Sequence, residues 1–321
     1  MTLTQVATIT KRGVFLFTTL LILSITGFIF YQVKHTQYLA SLPKPEEVPD
    51  VKFGILPKPD FLPSSVSSSN FSYQLANQTG SLPDFGKLAK VYFIPKATAT
   101  FLAKDKASGL ATKFNIDNTP EATGESYQFR KDNKTLNLDI NTGNLKYKKE
   151  ATNSSLHFAS TETQVIQNFK TFLSFLGLLK DELKAGIGKV DGTTILIWPQ
   201  DINKIPIVTS SFKKSLVMAE ASQSAASVED YLAIDFTFWP VDQTTFSTYP
   251  IKTAAQALGD LKAGQGSVII EPKGAQISIT SVSLAYFESE NYNPYLLPLF
   301  VFEGPNFVAY VPAITDEFTA K

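Results

Sequence analysis

The longest apolar stretch of the chain lies near its beginning. Gly13–Val33 contains no charged side chain over 21 positions, with Lys11 and Arg12 before it. A helix of this length spans about 30 Å, which matches the hydrocarbon core of a bilayer. The pattern predicts a transmembrane helix over 13–33. Because basic residues and no acidic residue precede it, residues 1–12 are expected in the cytoplasm.

A cleaved signal peptide is the alternative interpretation of this segment. Such peptides have apolar cores of about 7–15 residues, shorter than the one here. The best cleavage position follows Ala40, but Tyr38 stands where a small side chain is required. We therefore expect an uncleaved anchor, and a single-pass membrane protein whose C-terminal part is extracytoplasmic.

Residues 34–69 are rich in proline and serine. Six prolines interrupt any helix between Pro43 and Pro63, and the serine-rich run 64–69 follows them. This composition is typical of a semi-rigid, extended spacer. Within it, Phe53–Pro57 is too apolar for a spacer, and we expect this short segment to dock onto the folded part of the protein.

Three later stretches place apolar residues at helical spacing, beginning at Ala103, Val165 and Ile251. The apolar positions are Ala103, Ala107, Leu110, Ala111 and Phe114 in the first, Val165, Phe169, Phe172, Leu173, Leu176 and Leu179 in the second, and Ile251, Ala254, Ala255, Leu258 and Leu261 in the third. Thr161 and Gln164 fit a capping box before the second helix.

Alternating patterns between these helices predict strands. Leu136, Leu138 and Ile140 alternate with polar residues, and after a turn at 141–144 the residues Leu145 and Tyr147 alternate with lysines, which indicates a hairpin with one solvated face. Further strands are predicted over 193–198, 232–239, 277–287, 296–303 and 307–311. The prediction is an α+β fold of antiparallel sheets with packed helices, in two related subdomains over 70–185 and 186–321.

Composition narrows the possible functions. The 29 basic and 29 acidic residues cancel, so the chain has no net field to attract nucleic acid, and a nucleic-acid partner is not expected. There is no cysteine, which excludes disulfides and thiolate chemistry. The 25 Phe and 12 Tyr supply the apolar area that a disulfide-free domain needs.

The C-terminal quarter resembles a known family. An Ala-rich helix (251–258) is followed by a strand ending in Leu284-Ala285-Tyr286 and by a strand with the pattern Leu-x-Pro-x-Phe-x-Phe (296–302). This order resembles the PepSY-like fold of YycH/YycI-type regulators, which are single-pass extracytoplasmic proteins that modulate a sensor kinase. The resemblance implies a regulatory protein, two PepSY-like subdomains and no catalytic residues.

Candidate chemistry is sparse. Histidine occurs only at His35 and His157, and no metal or cofactor site is predicted. Ser211-Phe212-Lys213-Lys214 fits a Ser-x-x-Lys nucleophile motif, but its usual companion motifs are missing in order. Tyr292 and Tyr295, in a loop with asparagines, are candidate binding residues because exposed tyrosines suit partner contacts. The alternative is that these tyrosines lie at the ends of strands and that their rings cover the core.

The sequence therefore favours a non-catalytic, membrane-tethered interaction or regulatory domain that binds a protein of the cell envelope. An envelope hydrolase or transferase acting on peptidoglycan or glycan is the alternative, as is a structural component of an envelope assembly. An enzyme would require a deep pocket with converging polar groups, whereas a binding module would require a groove or an open sheet edge.

The anchor gives the first testable prediction. If Gly13–Val33 is an uncleaved membrane helix, mass spectrometry of protein extracted from membranes will find these residues retained. An N-terminus close to Ser41 would contradict the prediction and identify a signal peptide instead.

Overall fold

The computed structural model describes residues 17, 20–21, 23–36, 48–150 and 157–320. Pro49–Lys321 forms one compact unit. The strands in chain order are β1 (Ser72–Leu75), β2 (Leu88–Phe93), β3 (Glu121–Thr123), β4 (Ser126–Lys131), β5 (Lys134–Asp139), β6 (Leu145–Lys149), β7 (Gly188–Asp191), β8 (Thr194–Ile197), β9 (Ile207–Thr209), β10 (Val217–Ala221), β11 (Tyr231–Phe236), β12 (Asp242–Pro250), β13 (Ser267–Ile270), β14 (Gln276–Ile279), β15 (Ser281–Glu288), β16 (Tyr295–Gly304) and β17 (Phe307–Pro312). The helices that follow residue 48 are α1 (Ala103–Lys113), α2 (Glu162–Leu176), α3 (Asp181–Ala185) and α4 (Ala254–Lys262).

The described part of the N-terminal apolar segment is helical, continuously over residues 23–36, and exposed. No helix among the described residues is both long and apolar enough to cross a bilayer. Seven of the 21 residues in 13–33, and all of residues 1–12, lie outside the described residues. The transmembrane helix therefore stays a prediction.

The larger sheet has eight strands in the order β3-β4-β5-β6-β11-β10-β8-β7. Every neighbouring pair in it is antiparallel. The predicted hairpin is confirmed as β5–β6, in which Leu138 pairs with Leu145. Its apolar residues point to one face and its lysines to the other, as the alternation requires.

Helices α1 and α2 cover one face of this sheet. Ala107 and Ala111 of α1, with Val165 and Phe169 of α2, join the inward residues of the strands in a single core. Thr161 caps α2 by accepting a hydrogen bond from the Gln164 backbone. The Gln164 side chain instead donates to Asn168, so only half of the predicted capping box forms.

The smaller sheet is built around β16. One edge of β16 pairs with β15, while its other edge pairs first with β2 and then with β17. Helix α4 packs on this sheet through Ala254, Ala257 and Leu261. As predicted, β16 is apolar on both faces and is covered on both, since Phe300 and Phe302 are fully buried in one core and Leu299 and Val301 in another.

Pro298 interrupts β16 without breaking the sheet. The Tyr286 backbone, opposite Pro298, donates to Pro206 on the far side, so the missing Pro298 N–H faces away from β15. On that side, pairing with β2 has ended at Leu296 and pairing with β17 begins at Leu299. The proline nitrogen therefore lies where no strand would need its N–H, while its carbonyl oxygen accepts a hydrogen bond from the Ala313 backbone at 3.2 Å.

The strand predicted over 277–287 is two strands. The chain changes partner at Thr280, because β14 pairs with β1 whereas β15 pairs with β16. The continuous apolar alternation of this segment contains no turn signal, so the break is a consequence of sheet pairing. Gly304 allows the close approach of β14 to the end of β16, since a Cβ there would overlap the Ser278 carbonyl oxygen.

Residues 49–69 of the predicted stalk belong to the compact unit and pack on it. Leu56 is fully buried and forms a bridge with Thr319, and the Phe53 ring stacks on Tyr295 at 4.9 Å. This confirms the docking expected from the apolar composition of Phe53–Pro57. Residues 37–47 of the segment lie outside the described residues.

The expected subdomain boundary at 185/186 falls within the larger sheet. Strand β6, which precedes the boundary, pairs with β11, which follows it. Residues 121–149 and 188–236 thus share one hydrogen-bonded sheet, and β2 joins the other sheet with strands from the C-terminal half. The α+β class with few helices and mainly antiparallel sheets holds, although β9 pairs with β15 and β1 pairs with β14 in parallel. The sheets do not follow the order of the two predicted subdomains.

Truncation of Phe300 tests the central role of β16. Phe300→Ala should lower the free energy of unfolding by roughly 3–5 kcal/mol, because it leaves a cavity in a fully buried site. Thermal and denaturant unfolding would measure the change. Phe101→Ala is the control, since Phe101 is 95% exposed and should unfold like the parent. Equal stability of both variants would contradict the packing described here.

Candidate functional site

The two candidate tyrosines are half-buried and engaged in packing. The Tyr292 hydroxyl donates to the Ile94 carbonyl oxygen at 2.9 Å, and its ring meets Trp239 edge-on at 5.7 Å. Tyr295 packs between Phe53 and Phe93. Tyr292 and Tyr295 do not line the groove described below, and their role in binding stays a prediction.

The Ser-x-x-Lys motif forms a turn. The Lys214 backbone donates to the Ser211 carbonyl oxygen at 2.8 Å, and the segment has no helix to present a nucleophile. Among the residues that the structure describes, no three His, Cys, Asp or Glu side chains are grouped to hold a metal ion.

The face of the larger sheet opposite α1 and α2 is open in the described chain. Strand register aligns the outward residues of four adjacent strands: Lys146 lies opposite Asp235, Asp235 opposite Met218, and Met218 opposite Leu196. A second row places Ala233 beside Glu220. Polar and charged side chains therefore stand on this face around a small apolar strip.

A groove crosses this open face. Two adjoining depressions share Lys214, Met218 and Asp235 and make one continuous channel, here called the open-face groove. Its floor comes from β7, β8, β10, β11 and β6. The remaining lining residues used below are Asp191, Thr194, Leu196, Glu220, Ala233, Lys146 and Glu290.

The groove carries charges of both signs. Asp191, Glu220, Asp235 and Glu290 bring carboxylates, and Lys146 and Lys214 bring ammonium groups. Within the described residues, no ion pair within 4 Å involves any of these six side chains. Their charges are therefore available to a ligand, with an excess of negative charge.

One wall of the groove, residues 209–216, is fixed by buried hydroxyls. The Thr209 hydroxyl lies 3.0 Å and 2.8 Å from the carbonyl oxygens of Ser211 and Lys214 and donates to one of them. Ser215 donates to the Ile197 carbonyl oxygen of β8. Tyr310 of the smaller sheet donates to the Thr209 carbonyl oxygen at 3.0 Å. The wall is therefore held in place before any ligand binds.

The loop 289–291 closes one end of the groove. The Trp239 indole N–H donates to the Ser289 carbonyl oxygen at 2.8 Å, and the Asn291 backbone donates to the Ser289 hydroxyl at 3.2 Å. The Asn291 side chain donates to Asp60 at 3.2 Å. The loop thus ties together β15, the segment after β11 and the N-terminal segment.

Glu288 lies directly below this loop and is almost completely buried. Burial raises the pKa of Glu288 to about 8, and the Trp239 backbone N–H offsets part of that effect. The carboxyl faces a small cavity that Glu182, Ile207 and Trp239 also line. The interior of this cavity is about 20 Å³, room for roughly one water molecule and not for a sugar or peptide substrate.

Apart from Ser211 and Lys214 of the Ser-x-x-Lys motif, the groove residues were missed by the sequence analysis. Val217, Ala219 and Ala221 are buried and alternate with Met218 and Glu220, which is the period of a half-buried strand. That alternation could have identified β10 and its outward residues. No local signal indicates that Asp191, Lys214 and Glu290 converge on the same surface.

Comparisons with known proteins place the chain in no family. No family model matches it, and no curated protein matches it significantly. The C-terminal domain of Bacillus megaterium YpeB is similar over 69% of this chain and 95% of its own, at 10% identity and a TM-score of 0.31. An uncharacterized protein from Eubacterium rectale is similar over 70% of this chain and 82% of its own, at 12% identity and a TM-score of 0.33. Neither protein is a named YycH/YycI-type regulator.

The buried carboxyl gives a pH-dependent prediction. Between about pH 4.5 and 8, the unfolded chain ionises Glu288 while the folded protein keeps it protonated. Unfolding then releases a proton, so this group makes stability fall as pH rises through that window. At about 1.4 kcal/mol per pKa unit, Glu288→Gln should gain of the order of 4 kcal/mol over the parent between pH 4.5 and 8.5.

Denaturant unfolding at pH 4.5, 6.5 and 8.5 measures this difference. Glu290→Gln is the matched control on the same loop, because Glu290 is exposed, and its profile should run parallel to the parent. Parallel profiles for Glu288→Gln and the parent would show that Glu288 is not buried as an acid.

Proposed function

We propose that this protein is a non-catalytic, membrane-tethered interaction domain that binds a protein of the cell envelope through the open-face groove. The supporting observation is the groove itself, in which six charged side chains without ion-pair partners among the described residues surround a small apolar strip. The tether is the apolar segment Gly13–Val33, and its charge pattern favours an extracytoplasmic domain.

Preorganisation supports binding at this surface. The wall at 209–216 is held by Thr209, Ser215 and Tyr310, so a ligand would not have to order it. Surfaces that are ordered before binding lose less conformational entropy when a partner docks. A regulatory domain that recognises one partner segment needs such a surface and no reactive group.

An envelope hydrolase remains the alternative, and one observation favours it. Glu288 holds its proton near neutral pH, as a general acid would, and Glu182 lines the same cavity. The small size of the cavity supports the non-catalytic proposal over this alternative. With room for roughly one water molecule, the cavity cannot admit a glycan, and general acid catalysis requires the carboxyl within hydrogen-bond reach of its substrate.

Photo-crosslinking in native membranes tests the proposed function. A photoreactive amino acid at Met218, in the floor of the groove, should give one discrete protein adduct. The same group at Arg130, exposed on β4 of the same sheet, is the control and should give none. Equal adducts from both positions, or none from Met218, would contradict the proposal.

The crosslinked protein must then bind the full-length chain in purified form. Glu220→Lys should weaken that binding by at least about tenfold, equivalent to about 1.4 kcal/mol. Unchanged affinity of the variant would mean that the adduct reflects proximity and that the groove is not the binding surface.

A further inference from the structure

Buried polar side chains are concentrated where the two sheets meet. Seven polar or charged residues are buried in the described chain, and five of them, here called the polar junction, lie at this place: Thr209, Ser210, Ser215, Glu288 and Ser289. Thr209 and Glu288 are register partners in the parallel pair β9–β15, and residues 209–215 then lead into β10 of the larger sheet. Because a buried polar group costs free energy unless it is hydrogen-bonded, the partners of these residues decide how stable the junction is.

Glu288 differs from its neighbours in lacking such partners. The Thr209 and Ser215 hydroxyls donate to backbone carbonyl oxygens, and the Ser289 hydroxyl accepts from the Asn291 backbone. Within the described residues, no side chain donates to the Glu288 carboxyl and no ion pair includes it. The Trp239 backbone N–H is the polar group that favours its ionised form. Glu288 is 6% exposed, so solvent does not supply the missing contacts.

The elements around Glu288 bring no compensating charge. Glu182 of α3 is the second titratable residue that lines its cavity. The other lining comes from Ile94, β9, β12, β16 and the segments 199–202 and 238–241, and it consists of apolar side chains and the amides of Gln200 and Gln243. Lys214 and Glu290 are close in the chain but line the groove.

The carboxyl of Glu288 is therefore neutral around pH 7. An uncompensated charge in such a place costs much more free energy than a protonated carboxyl does. The raised pKa of about 8 agrees with this, since burial raises it and no charged residue of the described chain contributes to the shift. Ionisation would require that water reach the carboxylate.

The loop 289–291 lies over Glu288 and has few contacts. It follows Glu288 directly, and Glu290 and Asn291 are exposed. Two hydrogen bonds join it to other segments, one from the Trp239 indole to the Ser289 carbonyl oxygen at 2.8 Å and one from the Asn291 side chain to Asp60 at 3.2 Å. A segment with few, solvent-accessible hydrogen bonds opens at a lower free energy than a strand inside a sheet. Opening of this loop is therefore the route by which water reaches Glu288.

We propose that Glu288 acts as a pH-sensitive latch between the loop 289–291 and the polar junction. With the carboxyl protonated, the loop is closed and Trp239 holds Ser289. Ionisation opens the loop, breaks the hydrogen bond between Trp239 and Ser289 and admits water, while both sheets stay folded. The open form ionises more readily than the closed form, so rising pH favours the open form. The latch concerns the chain without a ligand and does not depend on the partner proposed above.

Fluorescence of Trp239 tests the latch on the full-length chain in detergent. The chain contains two tryptophans, so Trp198→Phe leaves Trp239 as the single indole. Between pH 6 and 9, the rate constant of acrylamide quenching should rise by roughly threefold or more in a one-proton transition, because opening exposes the indole to solvent. Far-UV circular dichroism should stay constant over this range, since the sheets remain folded.

Two variants in the Trp198→Phe background assign the transition. Glu288→Gln cannot ionise and should show the weak quenching of the closed form at every pH. Glu290→Gln is the matched control in the exposed part of the loop and should keep the transition. A transition that survives in Glu288→Gln, or that is missing in the Trp198→Phe parent, would overturn the proposal. A loss of circular dichroism in step with the quenching would also overturn it, because the change would then be global unfolding.

Hydrogen exchange on the chain without Trp198→Phe makes the test independent of that substitution. After correction for the intrinsic pH dependence of exchange, the amides of residues 289–292 should lose about tenfold or more of their protection between pH 6 and 9, and Glu288→Gln should lose none. The β4–β5 hairpin is the internal reference and should be unchanged in both chains. Equal protection of residues 289–292 at the two pH values, or an equal loss in the hairpin, would contradict the latch.

Discussion

In the described chain, helices cover one of the two faces of the larger sheet. Helices α1 and α2 contain 11 and 15 residues, and both pack on the same side. In β6 and β10 the buried residues therefore alternate with residues that the described chain leaves in contact with solvent. This constraint creates the open face, and the groove, its charges and its apolar strip all depend on it. A third layer over that face would have required apolar residues where Lys146, Glu220 and Asp235 stand.

The second requirement for the groove is the joining of the two sheets. Residues 209–216 leave β9 of the smaller sheet and enter β10 of the larger one, so the wall of the groove is also the connection between the sheets. Tyr310 fixes the start of this segment and Ser215 fixes its end. The geometry of this surface therefore depends on the relative position of both sheets.

Glu288 lies at the same junction between the sheets, and its burial reduces the stability of the fold. A buried carboxyl with a raised pKa lowers the free energy of unfolding at neutral and alkaline pH. An apolar or amide side chain of similar size would not have this effect, because it does not ionise. It lies below the loop 289–291, which closes one end of the groove. Ionisation would place a charge beside Trp239, whose indole N–H holds the loop.

Local pattern determined the elements whose packing is mostly local. The spacing of Val165, Phe169 and Phe172 predicted α2, and the alternation around the turn at 141–144 predicted the β5–β6 hairpin, because a helix face or a hairpin buries residues that are close in sequence. The apolar pattern also predicted the burial of both faces of β16 and the docking of the segment that contains Leu56. It also placed Tyr292 and Tyr295 around a surface loop, and in the structure both rings pack, with Tyr295 at the start of β16.

Strand order was decided only by the tertiary structure. Strand β11 inserts between β6 and β10, and this long-range pairing brings Lys146, Asp235 and Met218 into one row although more than 70 residues separate the first from the last. The alternation of apolar and polar residues shows which face of a strand is exposed to solvent, but it does not show which other strand pairs with it. The sequence by itself thus determined an α+β domain whose strands have one solvent-exposed and one buried face. The groove, in contrast, exists only because non-local hydrogen bonding set the order of those strands.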